Sequence, residues 1–456
     1  MPTAEERCGH QPALPGPDDA PDLEAAVLWK VSLRILPFLF LLYVLNILDR
    51  VNVGFARLQM LSDLGLDAAT GERVYGFGFG VFYIGYCVFE VPSNLILRRL
   101  GARRWIARIL VSWGLISAAL MFIQQPWHFY LLRFLLGFAE AGFFPGIILY
   151  LSYWFPARQR AQAVARFMTG SAVTGVVGLP LSGAIMQYLN GVGGLGGWQW
   201  LFLLEGLPTV LLGFVTLWYL TDHPEQAHWL SARERKWLSE RMSREESYRE
   251  QQHGLTFWQT LANGRVWLLC LVYFMVSVGA NSYGAFLPKV LEERFVGFDK
   301  FQIGLLGSLP ALVTVVGMVL VGGHSDRTGE RRWHVAVPAF VAATGWVLAI
   351  FAPSPWLVLA CLALAYAGMM SMLAPFWSLP TSFLSGAAAA GGIAFINSVG
   401  NLGGFAGPNA IAQVKAATGS FTGGFLILAT AMAVCGCLAL LARHDPTLEQ
   451  ADKQEG

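Results

Sequence analysis

Residues 36–56 read LPFLFLLYVLNILDRVNVGFA, an apolar run whose charged side chains, Asp49 and Arg50, are adjacent. A helix of about 20 apolar residues crosses the hydrocarbon core of a bilayer, so this run is long enough to span one. A charge near the centre of such a helix costs about 2.5–3.5 kcal/mol on insertion scales, and here two stand together. Residues that expensive turn toward a protein interior or a wet cavity, where they bind, pair or move protons. The pair points to the movement of something charged.

The rest of the chain reads the same way. Of its 456 residues 55% are hydrophobic and 13% charged, with a mean hydropathy of +0.52. Soluble domains carry roughly 25% charged residues, so composition predicts an all-α integral membrane protein. The 50 glycines, as in Gly76-x-x-x-Gly80 and Gly403-x-x-x-Gly407, suit close helix approach in lipid. No G-x-x-x-x-G-K-[ST] stretch occurs, so ATP is not read here. A net charge of +2 gives no sign of nucleic acid. Cys8, Cys87, Cys270, Cys361, Cys435 and Cys437 are scattered and read as reduced packing residues. The first 25 residues are polar, acidic and proline-rich, unlike a signal peptide, so the first helix is expected to direct membrane insertion.

Apolar runs of spanning length recur about twelve times. They fall at 33–56, 74–97, 105–124, 130–153, 162–189 and 199–221, then at 264–288, 302–323, 333–352, 356–378, 391–413 and 421–442. The polar break 222–262 divides them into two groups of six, and predicts a solvated amphipathic helix and linker at the surface. The expected organisation is a tail (1–30), a six-helix bundle (31–221), the central loop (222–262), a second bundle (263–443) and a tail (444–456). Arginines crowd alternate loops: Arg98, Arg99, Arg103 and Arg104, then Arg158 and Arg160, then Arg327, Arg331 and Arg332. The positive-inside rule makes those loops, the central segment and both termini cytoplasmic. The halves also repeat one another. Gly101-Ala-Arg103-Arg104-Trp105 follows the second span, and Gly329-Glu-Arg331-Arg332-Trp333 follows the eighth.

The second copy in full, Gly322-Gly-His-Ser-Asp326-Arg327-Thr-Gly329-Glu-Arg331-Arg332, resembles the loop signature of the major facilitator superfamily at every defining position. The first copy departs from it, with Asn94 and Arg98 in place of the glycine and the aspartate. That departure is similar to the anion:cation symporter branch. So are Leu45-Asn46-x-x-Asp49-Arg50-Val-Asn52-x-Gly54, Arg133-x6-Glu140-x4-Pro145, Tyr153-Trp-Phe-Pro156 and Gly197-Trp-Gln-Trp200-Leu-Phe-x-x-Glu205-Gly-x-Pro208. The chain looks most like bacterial permeases for tartrate, phthalate and sugar acids such as galactonate. The resemblance implies twelve helices in two pseudo-repeat halves with the site between them. It implies a monomer in the bacterial inner membrane, with no cofactor, that takes up an organic anion with protons. It makes Gly101, Arg103, Arg104, Gly322, Asp326, Arg327, Gly329 and Arg331 a cytoplasmic gate motif.

Arginine suits a carboxylate because its guanidinium stays charged when desolvated and offers a planar fork of donors. Arg50 is therefore the first candidate substrate ligand. Its alternative role is to neutralise Asp49, although adjacent helical residues point about 100° apart. Asp49 and Glu140 are candidate proton carriers, since a carboxylate balanced between burial and a nearby arginine can load and unload a proton. Arg133 lies two helical turns before Glu140, about 10 Å along the axis, too far for tight pairing. The resemblance gives Asp49 and Glu140 protonation roles, Arg50 substrate binding and Arg133 a part in coupling; the alternative is a static salt-bridge network between spans one and four.

Tyr283, Trp377, Asn281, Ser378, Asn397 and Asn401 are candidate pocket residues, and the resemblance adds Tyr86 and Ser171 and again points to Asn397. Any one of them competes with a plain interhelical hydrogen bond of about 0.6 kcal/mol. Of the remaining charges, Glu90 is expected to pair with loop arginines and Glu205 to pair structurally. Lys289 and Lys415 are expected to snorkel, and Arg166 to act as a gate or anchor.

The reading is a proton-coupled symporter importing a hydroxy-dicarboxylate such as tartrate, a sugar acid or an aromatic carboxylate by alternating access. A proton-antiport exporter of a metabolite or drug, and a sensor that binds without transport, are the alternatives. An enzyme is not expected, as H-E-x-x-H and G-x-S-x-G are absent.

Overall fold

A computed structural model describes residues 20–251, 262–381 and 386–442. The tail 444–456, Cys8, most of the tail 1–30 and part of the central loop lie outside the described residues. Ten helices are long and apolar enough to cross a membrane. In the first half they are Leu23–Asp63, Ala68–Leu97, Ala102–Phe122, Pro126–Ser152 and Gly197–Tyr219; in the second, Gly264–Arg294, Lys300–Thr328, Arg332–Phe351, Pro355–Pro380 and Thr422–Leu441. Expected spans five and eleven are present in pieces. Span five runs as Ala157–Met168, Gly170–Val173, a π-helical turn Thr174–Gly178 and Leu179–Tyr188; span eleven as Gly386–Asn401 and Gly403–Thr418. These two hold the same place in each half, and spans four and ten are interrupted as well, at Ala141–Gly142 and at Met372. The fold is the all-helical, twelve-span arrangement read from the sequence.

Local chemistry sets the helix ends. The Asp67 side chain accepts from the amides of Ala69 and Thr70 at 3.0 Å and starts span two. Asp299 and Gln302 form a reciprocal cap on span eight, whose other end closes on Gly329 in the left-handed region (φ +68°).

The halves meet through spans one and seven, two and eleven, and five and eight. At one end of the bundle the approach is backbone to backbone. A Cβ on Gly54 would stand 2.7 Å from the carbonyl oxygen of Gly284, and one on Gly183 would stand 2.4 Å from that of Lys300. At the arginine-rich end a Cβ on Gly322 or Gly323 would meet nothing within 4 Å.

The central segment carries a surface helix docked by its apolar face. Helix Ala232–Gln251 begins on a capping box in which the Ser231 amide donates to Glu234 and the Glu234 amide to Ser231 Oγ. Ala227, Leu230 and Leu238 are buried, Trp229 stacks on Trp154 with centroids 5.5 Å apart, and Lys30 of span one pairs with Glu234. The apolar residues among its charges dock it on the first half. The Lys30 ammonium and the Ser231 amide hold the Glu234 carboxyl below its usual range. The paired contribution is therefore complete above the ordinary glutamate value of about 4.3 and is lost as pH falls through the depressed folded value. Lys30 is 48% exposed, which limits the effect. Hydrogen exchange in 232–244 is expected to quicken below about pH 4, by no more than about 1 kcal/mol of protection.

Candidate functional site

Span one distributes its polar residues between two neighbours. Asp49, 2% exposed, turns to span three: Trp113 Nε1 donates to Oδ2 and Ser117 Oγ to Oδ1 at 2.6 Å, while Asn52 Nδ2 adds a third bond at 3.0 Å. Arg50 turns to span four. Its Nε donates to Glu140 Oε1 at 2.6 Å and its Nη2 reaches the same oxygen, which also accepts from Asn46 Nδ2 at 2.8 Å. Asn46 and Arg50, four apart, share one face; Asp49 and Asn52, three apart, share another. Arg50 therefore does not neutralise Asp49. The side chain of Glu140 is fully buried, whereas that of Arg50 is 22% exposed beside the rings of Tyr86 and Phe82, 5.2 and 5.5 Å away.

Arg133 is 1% exposed and does not pair with Glu140 two turns along its own helix. It donates instead to the carbonyls of Gly78 and Phe79 in span two, both at 3.3 Å, with its guanidinium 4.7 Å from the centre of the Phe82 ring. Among the described residues no carboxylate pairs with it.

The second half reaches this region through hydrogen bonds. Asn397 Nδ2 donates to Glu90 Oε1 at 2.7 Å, and Ser398 Oγ donates to Oε2. Glu90 thus binds span eleven rather than the loop arginines expected for it, because its position on span two faces the other half. The Tyr83 hydroxyl donates to Asn281 Oδ1. Trp377 meets Tyr273 edge to face at 4.9 Å.

Two candidates stand elsewhere. Tyr283 stacks on Tyr366 at 4.3 Å and lines a small apolar cavity with Trp346, Leu362 and Phe425 inside the second half. Its neighbourhood on span seven is the packed interior of that half. Ser171 Oγ returns to the Met168 carbonyl at 2.9 Å, satisfying an acceptor beside the break in span five. Lys289 and Lys415 are ion-paired, with Glu292 at 2.7 Å and Glu293 at 2.9 Å, where snorkelling was expected.

The repeated motif is tied within its own half in both copies. The Arg103 amide donates to Asp222 Oδ1 at 2.8 Å, with Gly101 beside the same carboxylate. Arg331 donates to Asp326 at 2.6 Å and to Ser325 Oγ at 3.0 Å, while Asp326 stays 73% exposed. Arg104 lies in the first turn of the helix Ala102–Ala119, and Arg327 in the last turn of Lys300–Thr328. Sequence reasoning missed Trp113, Ser117, Tyr83 and Ser398 as partners of the buried charges. Asn46 and Asn52 stood only inside a quoted motif, and their four- and three-residue spacing from Arg50 and Asp49 is the signal that could have found them.

The sequence profile of the Major Facilitator Superfamily matches residues 39–408. The chain belongs to that superfamily. It is 49% identical over 427 residues to an Agrobacterium vitis protein named "Putative tartrate transporter", covering 93% of each chain. It is 40% identical to a protein of Acinetobacter baumannii named "Quinolone resistance transporter", covering 90% of this chain and 93% of that one. The crystal structure of a D-xylose-proton symporter superposes with a TM-score of 0.72 at 15% identity, covering 92% of this chain and 99% of the other, a likeness of fold. As a superfamily member the protein is a multi-pass membrane transporter.

Proposed function

We propose that this transporter imports a small organic anion together with protons by alternating access. The anion is of the hydroxy-dicarboxylate class typified by tartrate, or a sugar acid or aromatic carboxylate. The observation that carries the reading is Arg50: a guanidinium 22% exposed, held by the fully buried Glu140 against an aromatic wall. A proton on Glu140 weakens its hold on Arg50, and the anion's carboxylate takes the place it vacates. Anion and proton then occupy the site together, and the exchange avoids leaving a buried charge uncompensated. The 49% relative, with its tartrate name, supports the choice of anion class.

In this reading both termini face the cytoplasm of a bacterial cell, the protein acts as a monomer, and the proton gradient replaces any cofactor. The backbone contacts at Gly54 and Gly183 close the outer end. The exposed signature loop, with Asp326 bound within its own half, lies at an open cytoplasmic end. A net positive charge moving inward through 100 mV is worth about 2.3 kcal/mol, so electrogenic import would also draw on the membrane potential.

The test is uptake of tartrate, galactonate and phthalate into proteoliposomes under an inward proton gradient. Glu140→Gln is expected to exchange anion across the membrane at near the wild-type rate but to lose at least about tenfold in accumulation, the mark of lost coupling. The relative with a quinolone-resistance name favours a second reading, export by proton antiport. Extrusion driven by a proton gradient of opposite sense would select it, and binding without flux would select a sensor.

A further inference from the structure

Glu205 in span six is a second buried carboxylate beside Asp49, and the site described above does not use it. It is 3% exposed. Ser182 Oγ of span five donates to its Oε1 at 3.1 Å, and its Oε2 is buried with no hydrogen-bond partner. Asn52 stands between the two acids. Its Nδ2 donates to Asp49, its amide faces the Glu205 carboxylate, and its Oδ1 is likewise buried without a partner. Asp49 is the titratable group facing Glu205; from the packed elements Asn52 and Ser182 supply the polar contacts, with Ser117 and Trp113 behind Asp49. Glu140 and Arg133 act on Asp49 from beyond it. Among the described residues the ion pairs of the first half engage Glu140, Glu72, Asp222 and Glu234, and none engages Asp49 or Glu205.

The two acids are dressed differently. Asp49 accepts three donors, as an ionised carboxylate does. Glu205 accepts one, from Ser182, and its second oxygen is buried with no donor, a place that a proton on Glu205 would suit. Two carboxylates in a membrane interior with no cation on either cannot both stay ionised.

We propose that Asp49 and Glu205 form a carboxylate pair that holds a single transported proton, residing on Glu205 in this conformation. The proposal rests on the symport reading above and extends it. One proton belongs to Glu140 at the anion site, and a second to this pair, set apart between spans one, three, five and six. The proton enters from one side, neutralises the pair while the halves rock, and leaves to the other side; no bond other than O–H forms or breaks.

Two measurements test it. Infrared spectroscopy of the lipid-reconstituted protein at neutral pH needs no substrate. The wild type is expected to show a protonated-carboxyl C=O stretch that Glu205→Gln lacks. In weakly buffered vesicles, a pulse of L-tartrate drives proton uptake that an electrode reads. Glu205→Gln is expected to carry tartrate downhill within about threefold of wild type while proton uptake per tartrate falls by about one. Asp49→Asn is expected to lower proton uptake per tartrate by the same one, and the double variant to uncouple no further, because both acids share one proton. An unchanged infrared band, or wild-type proton uptake in Glu205→Gln, overturns the pair. So does tartrate flux falling in step with proton uptake, the pattern of a structural residue, and so does sodium-driven uptake lost in Glu205→Gln. If wild-type protein moves no protons with tartrate, the symport reading fails on its own, and the infrared band still decides Glu205.

Discussion

Arg50→Ala abolishes tartrate binding and uptake, with an expected loss of at least about 100-fold. Truncating one partner of a desolvated charge pair costs about 2–5 kcal/mol, and each 1.4 kcal/mol is a factor of ten. The same change strands Glu140, which is fully buried and would keep only the Asn46 amide as a donor. Breaking a buried pair by removing one partner destabilises by about 3–5 kcal/mol, so loss of binding must be separated from loss of fold. Arg50→Ala combined with Glu140→Gln makes that separation: it is expected to restore thermal stability toward wild type and to leave binding absent. Arg50→Lys keeps a charge but gives up the fork, and is expected to fall between. The check is radiolabelled tartrate binding beside a thermal unfolding curve for each variant. Full binding by Arg50→Ala would move the carboxylate ligand to Arg133, the other buried guanidinium near the aromatic wall.

Gly137→Val removes folded protein from the membrane. A Cβ at Gly137 would stand 1.9 Å from the carbonyl oxygen of Phe82 and 3.0 Å from the amide nitrogen of Tyr86. Both contacts are to backbone, so no rotamer relieves them, and spans two and four must separate. Overpacking usually costs about 1–3 kcal/mol, and a clash against a rigid helix exceeds that range. Separation also withdraws Arg133 from the carbonyls of Gly78 and Phe79 and shifts Tyr86 relative to Arg50. Folded yield by size-exclusion chromatography is expected to fall at least about tenfold, the population change of 1.4 kcal/mol or more. A well-folded Gly137→Val would show that spans two and four tolerate a wider spacing.

Most of the fold was legible because lipid leaves few alternatives: apolar length, alternating arginine loops and a repeated loop sequence already separate the two bundles. What escaped was contact between elements distant in sequence. Glu90 looked like a partner for nearby arginines, yet it binds Asn397 and Ser398 across the half interface. Arg50 and Glu140 were both marked by the cost of charge in a membrane, but their direct pairing depends on the rotation of spans one and four. Trp113 carries no sign in its own sequence that its ring nitrogen will serve Asp49. Tyr283 had a suitable side chain, and the rotation of span seven placed it inside its own half.

The breaks in spans five and eleven bear on how such a molecule moves. At Thr169 and Leu402 the amides bond three residues back, to Arg166 and Val399, and span five then loosens further into a π-turn. A rod with a joint at its middle flexes there cheaply, since the regular ladder is already interrupted. Each half carries such a joint on the helix that packs against the opposite half. The segments Ala157–Met168 and Gly386–Asn401 can therefore swing while Leu179–Tyr188 and Gly403–Thr418 stay seated on their neighbours, a geometry that favours a paired bending of two arms over the tilting of two rigid blocks.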